Sequence, residues 1–209
     1  MLIIGIAGGS GAGKTTLSQL ILEKTGGYGI AVISQDNYYF DQSHLTLEER
    51  KSVNYDDPKN IDNKLLLKHL LMLRQGNSVN TPIYEFNRHI RLEKTFCISP
   101  VPVIIVEGIH ILSQADIREV LDMKVFIDTD GDLRVLRRII RDVSERGRNL
   151  ESVHRQYLST VKPVYDAIIG PSRKYADIVL HGSDFKEGLS VMISYIEKFS
   201  IQSPIQNVL

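Results

Sequence analysis

Residues Gly8-Gly9-Ser10-Gly11-Ala12-Gly13-Lys14-Thr15 carry the spacing G-x-x-x-x-G-K-[ST], and the chain on either side limits what can surround it. An apolar run, Leu2 to Ala7, leads in. Thr16 to Lys24 follows, with apolar residues at Leu17, Leu20, Ile21 and Leu22, the one-sided pattern of a helix lying on a sheet. In the order strand, glycine loop, helix, successive backbone N–H groups can turn inward around phosphate oxygens, with the positive end of the helix dipole behind them. Residues Gly8 to Thr16 are therefore candidates for holding a nucleotide's phosphates. Lys14 would reach the β and γ phosphates, and the Thr15 hydroxyl would ligate Mg²⁺. A bare glycine turn would explain the glycines but not the agreement of every fixed position and both flanks.

Apolar runs of strand length at 2–7, 30–34, 103–107, 123–128 and 178–180 alternate with helical patterns near 14–25, 61–74, 130–145, 150–168 and 186–199. This alternation predicts an α/β fold with a five-stranded parallel sheet and helices on both faces. Residues 79–98 interrupt it. There, Val79, Thr81, Ile83, Tyr84 and Phe86, then Thr95, Phe96 and Ile98, flank a polar bend at Asn87 to Arg91, which predicts a hairpin excursion. A chain of 209 residues with 43% hydrophobic content suits one domain over 1–199, with a frayed tail at 200–209.

Lys plus Arg equals Asp plus Glu at 25 each, so no excess of positive charge exists to hold a polyanion, and nucleic acid is excluded as the expected partner. Cys97 is the only cysteine, which excludes an intrachain disulfide and fits a reducing cytoplasm. The glycine loop begins at residue 8, leaving no room for a cleavable signal, and the apolar runs are too short to span a membrane.

Phosphate loops serve GTPases, transport ATPases, motors and small-molecule kinases alike. The guanine-reading N-K-x-D pattern is absent, since two leucines follow Asn63-Lys64, and no L-S-G-G-Q-like run appears. Asp36 stands just beyond the second apolar run, in Ser34-Gln35-Asp36-Asn37-Tyr38-Tyr39. At the C-terminal edge of a parallel sheet it would either accept a proton from an attacking hydroxyl and help hold Mg²⁺, or cap a turn. Glu107 ends Val103-Ile104-Ile105-Val106 and would either hold the magnesium hydration shell or be a solvated strand-end acid. His110 is read as structural. On a helix over 130–145, Arg134, Arg137, Arg138 and Arg141 share one arc, opposite Val135, Leu136, Ile139, Ile140 and Val143. Burial of the apolar arc turns the arginines outward, toward a cleft or toward water, with Arg134 and Arg137 on the solvated part. The helix then runs into Ser144-Glu145-Arg146-Gly147-Arg148, and an arginine-bearing lid over about 138–150 would suit phosphoryl transfer.

In combination these features resemble the uridine kinase (uridine–cytidine kinase) family of P-loop kinases. The ordered motifs are the glycine loop, Ser34 to Tyr39, Asn54-Tyr55-Asp56-Asp57-Pro58, Pro82-Ile83-Tyr84-Glu85-Phe86 with His89 and Arg91, Val106-Glu107-Gly108-Ile109, Asp128-Thr129-Asp130, Arg137 to Asp142, Glu145 to Arg148, and Gln156-Tyr157. The resemblance spans roughly residues 1 to 199.

It implies transfer of the γ-phosphate of ATP or GTP to the 5′-hydroxyl of uridine and cytidine, forming UMP and CMP in pyrimidine salvage. Asp36 matches the catalytic base, with Lys14, Arg141 and Arg146 serving the transferred phosphate; Thr15, Asp36 and Glu107 match the magnesium site. Asp56 matches a carboxylate holding the ribose hydroxyls. Tyr84 and His89, with Phe86 alongside, match base contacts, although Tyr84 and Phe86 also suit ordinary hairpin packing. Arg138, Arg148 and Gln156 match further nucleoside contacts. Asp184 matches a position near the ATP base, one residue short in spacing. Asp57, Gly131 and Asn149 depart from the family's commonest residues, and none removes a group the chemistry needs. The resemblance also implies a homo-oligomer, commonly a tetramer. Two other functions fit a phosphate loop: a kinase of another small alcohol such as pantothenate or a sugar phosphate, and a nucleotide-binding regulator without catalysis.

Overall fold

In chain order the strands are β1 (Leu2–Gly8), β2 (Ile30–Ser34), β3 (Val79–Glu85), β4 (Ile90–Ile98), β5 (Val103–Gly108), β6 (Met123–Asp128) and β7 (Ile178–His181). The main helices are α1 (Lys14–Thr25), α2 (Leu47–Ser52), α3 (Asn63–Arg74), α4 (Ala115–Glu119), α5 (Gly131–Ser144), α6 (Leu150–Gln156), α7 (Lys162–Val164) and α8 (Lys186–Gln202). The computed structural model describes residues 1–182 and 184–202.

Five strands form a sheet in the order β2-β5-β1-β6-β7, every pair parallel. All residues of β1 and β5 are buried, as expected of central strands covered on both faces. Successive side chains point to opposite faces and divide the core in two. On one face Ile3, Ile104, Val106 and Phe126 pack with Leu66, Leu70 and Leu73 of α3. On the other, Ile4, Ile6, Val103, Ile105 and Val125 pack with Leu17 and Ile21 of α1 and with Met192 and Ile196 of α8.

The β3–β4 excursion is an antiparallel pair, with its turn at residues 86–89 and a register shift between Pro82 and Tyr84. Two side chains tie it to the segment after β2, and one of them also reaches the start of α3. Asn37 Oδ1 accepts from the Tyr84 backbone N–H at 3.2 Å, and Arg91 donates to the carbonyls of Tyr38 and Tyr39 at 2.7 and 2.9 Å while pairing with Asp62 at 3.5 Å.

Helical backbone runs without interruption from 150 to 175, longer than the expected 150–168, because two wide turns admit prolines. Lys162 N–H bonds back to Tyr157 C=O and Gly170 N–H to Tyr165 C=O, each one residue before Pro163 or Pro171. A proline ring would strike the carbonyl four residues earlier, and an i→i−5 turn opens that position. Helix α8 reaches Gln202, three residues past the expected end, and 203–209 of the proposed tail lie outside the described residues. No helix among the described residues is long and apolar enough to cross a membrane.

Helix α5 corrects part of the expected orientation. Arg138 and Arg141 face a cleft, as one of the two expected outcomes had it, but the apolar arc is not buried: Arg134 and Arg138 are 6% and 5% exposed, whereas Leu136 and Ile140 are 55% and 68% exposed. Arg134 is no solvated residue. Its guanidinium lies 3.6 Å above the Tyr165 ring, and Nε donates to the Thr129 carbonyl at 3.0 Å. Arg137 is exposed and reaches the Gly182 carbonyl at 3.1 Å.

The glycine loop rests on this helix. Gly11 has φ +79°, and a methyl group there would stand 2.4 Å from the Arg134 backbone oxygen. Neither strain nor clash can be relieved by a side-chain rotation, so Gly11→Ala should cost about 1–3 kcal/mol from backbone strain alone. The expected result is a lower melting temperature together with loss of nucleotide binding, measured by thermal unfolding and ATP titration.

Candidate active site

At the C-terminal edge of the sheet, β1 enters the glycine loop and then α1, whose N-cap Gly13 has a left-handed backbone with φ 103°. Lys14 curls back so that Nζ donates to the carbonyls of Gly8 and Gly9 at 3.1 and 3.2 Å. Burial pushes its pKa down, while Glu107 and Asp36 act in the opposite direction. Thr15 and Thr16 are exposed at the start of the helix.

Asp36 and Glu107 are brought together by the register of two neighbouring strands. Ser34, the last residue of β2, pairs with Glu107 in β5, and Asp36 follows in a tight helical turn, Gln35–Tyr38. Gln35 locks this corner. Fully buried, it accepts from the His110 backbone N–H at 2.9 Å, donates to Asn63 Oδ1 at 2.8 Å, and lies so close to Gly108 that a Cβ there would meet its Oε1 at 2.3 Å. Burial pushes the Glu107 carboxyl up, with Lys14 opposing.

His110 is structural, as expected. It is fully buried, and its Nε2 lies 2.7 Å from the Asp56 carbonyl, which can only accept; Nε2 therefore carries the proton, leaving Nδ1 to face Ser113 Oγ at 2.9 Å. This contact fixes the backbone of Asp56. Burial raises the Asp56 carboxyl, and Arg138 works against that rise.

A cavity open to solvent is lined by Asp36, Asp56, Tyr84, His89, Arg138 and Arg148, with Ser10, Lys14, Phe86, Arg141, Arg146 and Gln156; the expected Thr15 and Glu107 are not among its lining residues. Tyr39, Tyr55 and Ile109 also line it. These three stand beside expected residues in the chain, and an aromatic directly before Asp56 was the available signal for Tyr55. Its ring stacks on His89 at 4.9 Å and 15°. The phenol oxygens of Tyr55 and Tyr84 are buried next to each other, and neither meets full hydrogen-bond geometry with a described residue. Asp184 stands apart from this cavity. It is exposed, and its carboxylate accepts from the Lys186 N–H at 3.0 Å at the start of α8.

The arginines form the wall opposite Asp36. Arg138 donates to Ser10 Oγ and to Gln156 Oε1, both at 2.8 Å, and Arg148 also donates to Gln156 Oε1. Arg141 reaches Ser10 Oγ at 3.3 Å, while Arg146 lies 4.1 Å over the Phe86 ring and so joins this wall to the hairpin. Burial, then Arg141, pushes the Arg146 pKa down.

Two carboxylates facing a lysine and four arginines across a phosphate loop define a phosphotransferase of the P-loop class. The chain matches the Phosphoribulokinase / Uridine kinase family over residues 3–186, and it belongs to that family. It is 48% identical over 196 residues to the uridine kinase of Macrococcus caseolyticus, covering 93% of this chain and 95% of that one. With the uridine kinase of Clostridium novyi it shares 46% identity over 198 residues, 94% of this chain and 95% of the other. Among solved structures, the phosphoribulokinase of Rhodobacter spheroides superposes with TM-score 0.65 at 19% identity, over 86% of this chain and 69% of that one. D-glycerate 3-kinase from Cryptococcus neoformans gives 0.61 at 17% identity, over 87% and 86%. At these identities the two structures bear on the fold alone.

His89 titrates far from its ordinary value of 6.5. Burial and the charges of Arg148 and Arg146 push it down to about 4. Between those two values the unfolded chain holds a proton that the folded chain refuses, so this group's contribution to stability falls as pH drops from about 6.5 to about 4 and is constant below. The melting-temperature advantage of the natural protein over His89→Gln should therefore shrink across that window and stay level above pH 7, as followed by thermal melts at closely spaced pH values.

Proposed function

We propose that this chain transfers the γ-phosphate of ATP to the 5′-hydroxyl of a pyrimidine nucleoside, with uridine and cytidine as acceptors and UMP and CMP as products. The observation that carries this reading is the lining of one cavity. It presents Asp36 and Lys14 at the phosphate loop and ends in an aromatic enclosure of Tyr39, Tyr55, Tyr84 and Phe86 with a neutral His89. Relatives named uridine kinase at 46–48% identity over nearly the whole chain support it. GTP is a second donor compatible with the site.

Asp36 accepts the proton of the attacking hydroxyl, Asp56 accepts hydrogen bonds from the ribose hydroxyls, and Arg138, Arg148 and Gln156 hold the nucleoside side. The planar base lies among the aromatic rings, and its polar edge meets His89 and the phenols of Tyr55 and Tyr84. Lys14, Arg141 and Arg146 place positive charge where the transferring phosphoryl group spreads its negative charge. Residues Gly8 to Thr16 cradle the ATP phosphates; Asp184 at the base of ATP is the assignment with the least geometric support, since it caps α8.

Magnesium fits the residues present. No group of three or more His, Cys, Asp or Glu among the described residues is placed to hold a metal by itself, which is the expected pattern for an ion bound mainly through phosphate oxygens and water. Glu107, a buried acid pushed up by desolvation, gains most from a nearby cation, and Thr15 with Asp36 completes the protein's share. When bound, the ion neutralises phosphate charge.

We place the protein in the cytoplasm, as a single domain over 1–199 whose lid is formed by residues 138–150, and expect it to act as a homo-oligomer. The apolar arc of α5, with Leu136, Ile140 and Val143 at 55%, 68% and 45% exposure, supports association between copies. Ile140→Asp should then lower the mass seen by light scattering and leave the fold intact by circular dichroism.

The direct test is ADP release with Mg-ATP against uridine, cytidine, thymidine, adenosine, pantothenate and ribulose 5-phosphate. Turnover should depend on uridine and cytidine, and Asp36→Asn should lower kcat roughly 10²–10⁴-fold with ATP binding retained. Turnover with pantothenate or the sugar phosphate instead would sink the nucleoside assignment.

A further inference from the structure

Asp142 has no place in the chemistry described above, yet its carboxylate is shut off from solvent beside the cavity. Its side chain is 0% exposed, and four guanidiniums approach it. The approach is divided between its two oxygens. Oδ1 meets Arg141 at 2.8 Å and Arg146 at 3.7 Å, the two arginines assigned to the phosphate side. Oδ2 meets Arg138 at 3.4 Å and Arg148 at 3.7 Å, the two assigned to the nucleoside side. The backbone repeats the arrangement, because Arg148 N–H donates to the Asp142 carbonyl at 3.0 Å and folds the loop through Gly147 back onto the helix.

Four like charges cannot converge on one wall without a counterion among them, since each repels the others and all are partly desolvated. A single carboxylate held between the two pairs cancels part of that repulsion. Because each oxygen serves one pair, it also sets the spacing between the pairs. Arg138 Nε and Asp142 Oδ2 face each other as an ion pair without closing a hydrogen bond, so a small displacement of Arg138 toward the carboxylate tightens the array.

We propose that Asp142 is a positioning residue for phosphoryl transfer: without touching either substrate, it holds the phosphate-side arginines and the nucleoside-side arginines in one fixed relation across the cavity. The proposal rests on the arginine roles given under Proposed function. Alignment of attacking oxygen and phosphoryl group then depends on this carboxylate, while ground-state ATP binding, which the glycine loop and Lys14 supply, does not.

The test uses Asp142→Asn, close to isosteric but uncharged, and Asp142→Ser, which leaves room for water, beside Arg138→Met and Arg141→Met. For Asp142→Asn, misplacement of the arginines should lower kcat about 10–100-fold and raise the nucleoside KM about 5–20-fold, with the Mg-ATP dissociation constant within about threefold. Asp142→Ser should show the same split. A carboxylate needed only for stability would lower the melting temperature and the active fraction, and so the apparent kcat, with the nucleoside KM unchanged; that outcome overturns the proposal. So does failure of both Asp142 variants to fold. If Arg138→Met and Arg141→Met keep natural kcat and KM, the arginine roles themselves fall and the proposal falls with them. If those two variants are impaired while Asp142→Asn is not, only the role of Asp142 is refuted.

Discussion

The parallel pairing of β1 with β5 on one side and with β6 on the other governs where every functional group stands. Parallel strands end on the same edge, so the glycine loop after β1, Glu107 at the end of β5 and the start of α5 after β6 all emerge together. The edge strand β2 adds Asp36, because its last residue, Ser34, lies opposite Glu107. None of these residues needs a long or strained path to reach the cavity. Their convergence follows from strand order, and the buried, two-sided apolar strands make that order stable.

Around that edge the molecule spends its unusual features on holding charges in place. Arg91 and Asn37 fasten the hairpin, His110 fastens Asp56, and Gln35 fastens the corner between β2 and β5. Each is a buried or half-buried hydrogen bond between a side chain and a backbone atom, the type of contact that fixes a position with little freedom left over. The arginine wall is held by side chains instead: Ser10 and Gln156 accept from its guanidiniums, and the buried Asp142 carboxylate lies among all four. Below it, Arg134 sits over the Tyr165 ring and against the glycine loop, so a cation outside the reaction helps shape the phosphate cradle.

Helix α5 shows where amphipathic patterning misleads. Its two arcs are clearly separated in the sequence, and ordinary hydrophobic burial sends the apolar arc to the core. Here the opposite arc is enclosed, because the helix borders a cavity that four cations, a buried aspartate and two hydrogen-bonded polar residues fill, leaving Leu136 and Ile140 toward solvent. The pattern identified two faces and the cleft that Arg138 and Arg141 line, but wrongly buried the apolar arc and left Arg134 in water. An apolar helix face turned to solvent is also what association between copies would cover.

The sequence by itself determined the sheet and its loop. Apolar runs of strand length, glycines at positions of positive φ and a helix after them admit one local arrangement, since those restrictions are properties of a few neighbouring residues. Motif order likewise located Asp36, Asp56, His89 and the arginines that line the cavity. What only the tertiary structure decided were relations between distant segments: which face of α5 is enclosed, that Tyr55 stacks on His89 from 34 positions away, that Asp142 stands among four arginines, and that Asp184 caps α8 outside the cavity. Pairing of this kind depends on what the rest of the fold brings alongside a residue. Charge pairing and desolvation are set by separation in space, which spacing along the chain does not specify.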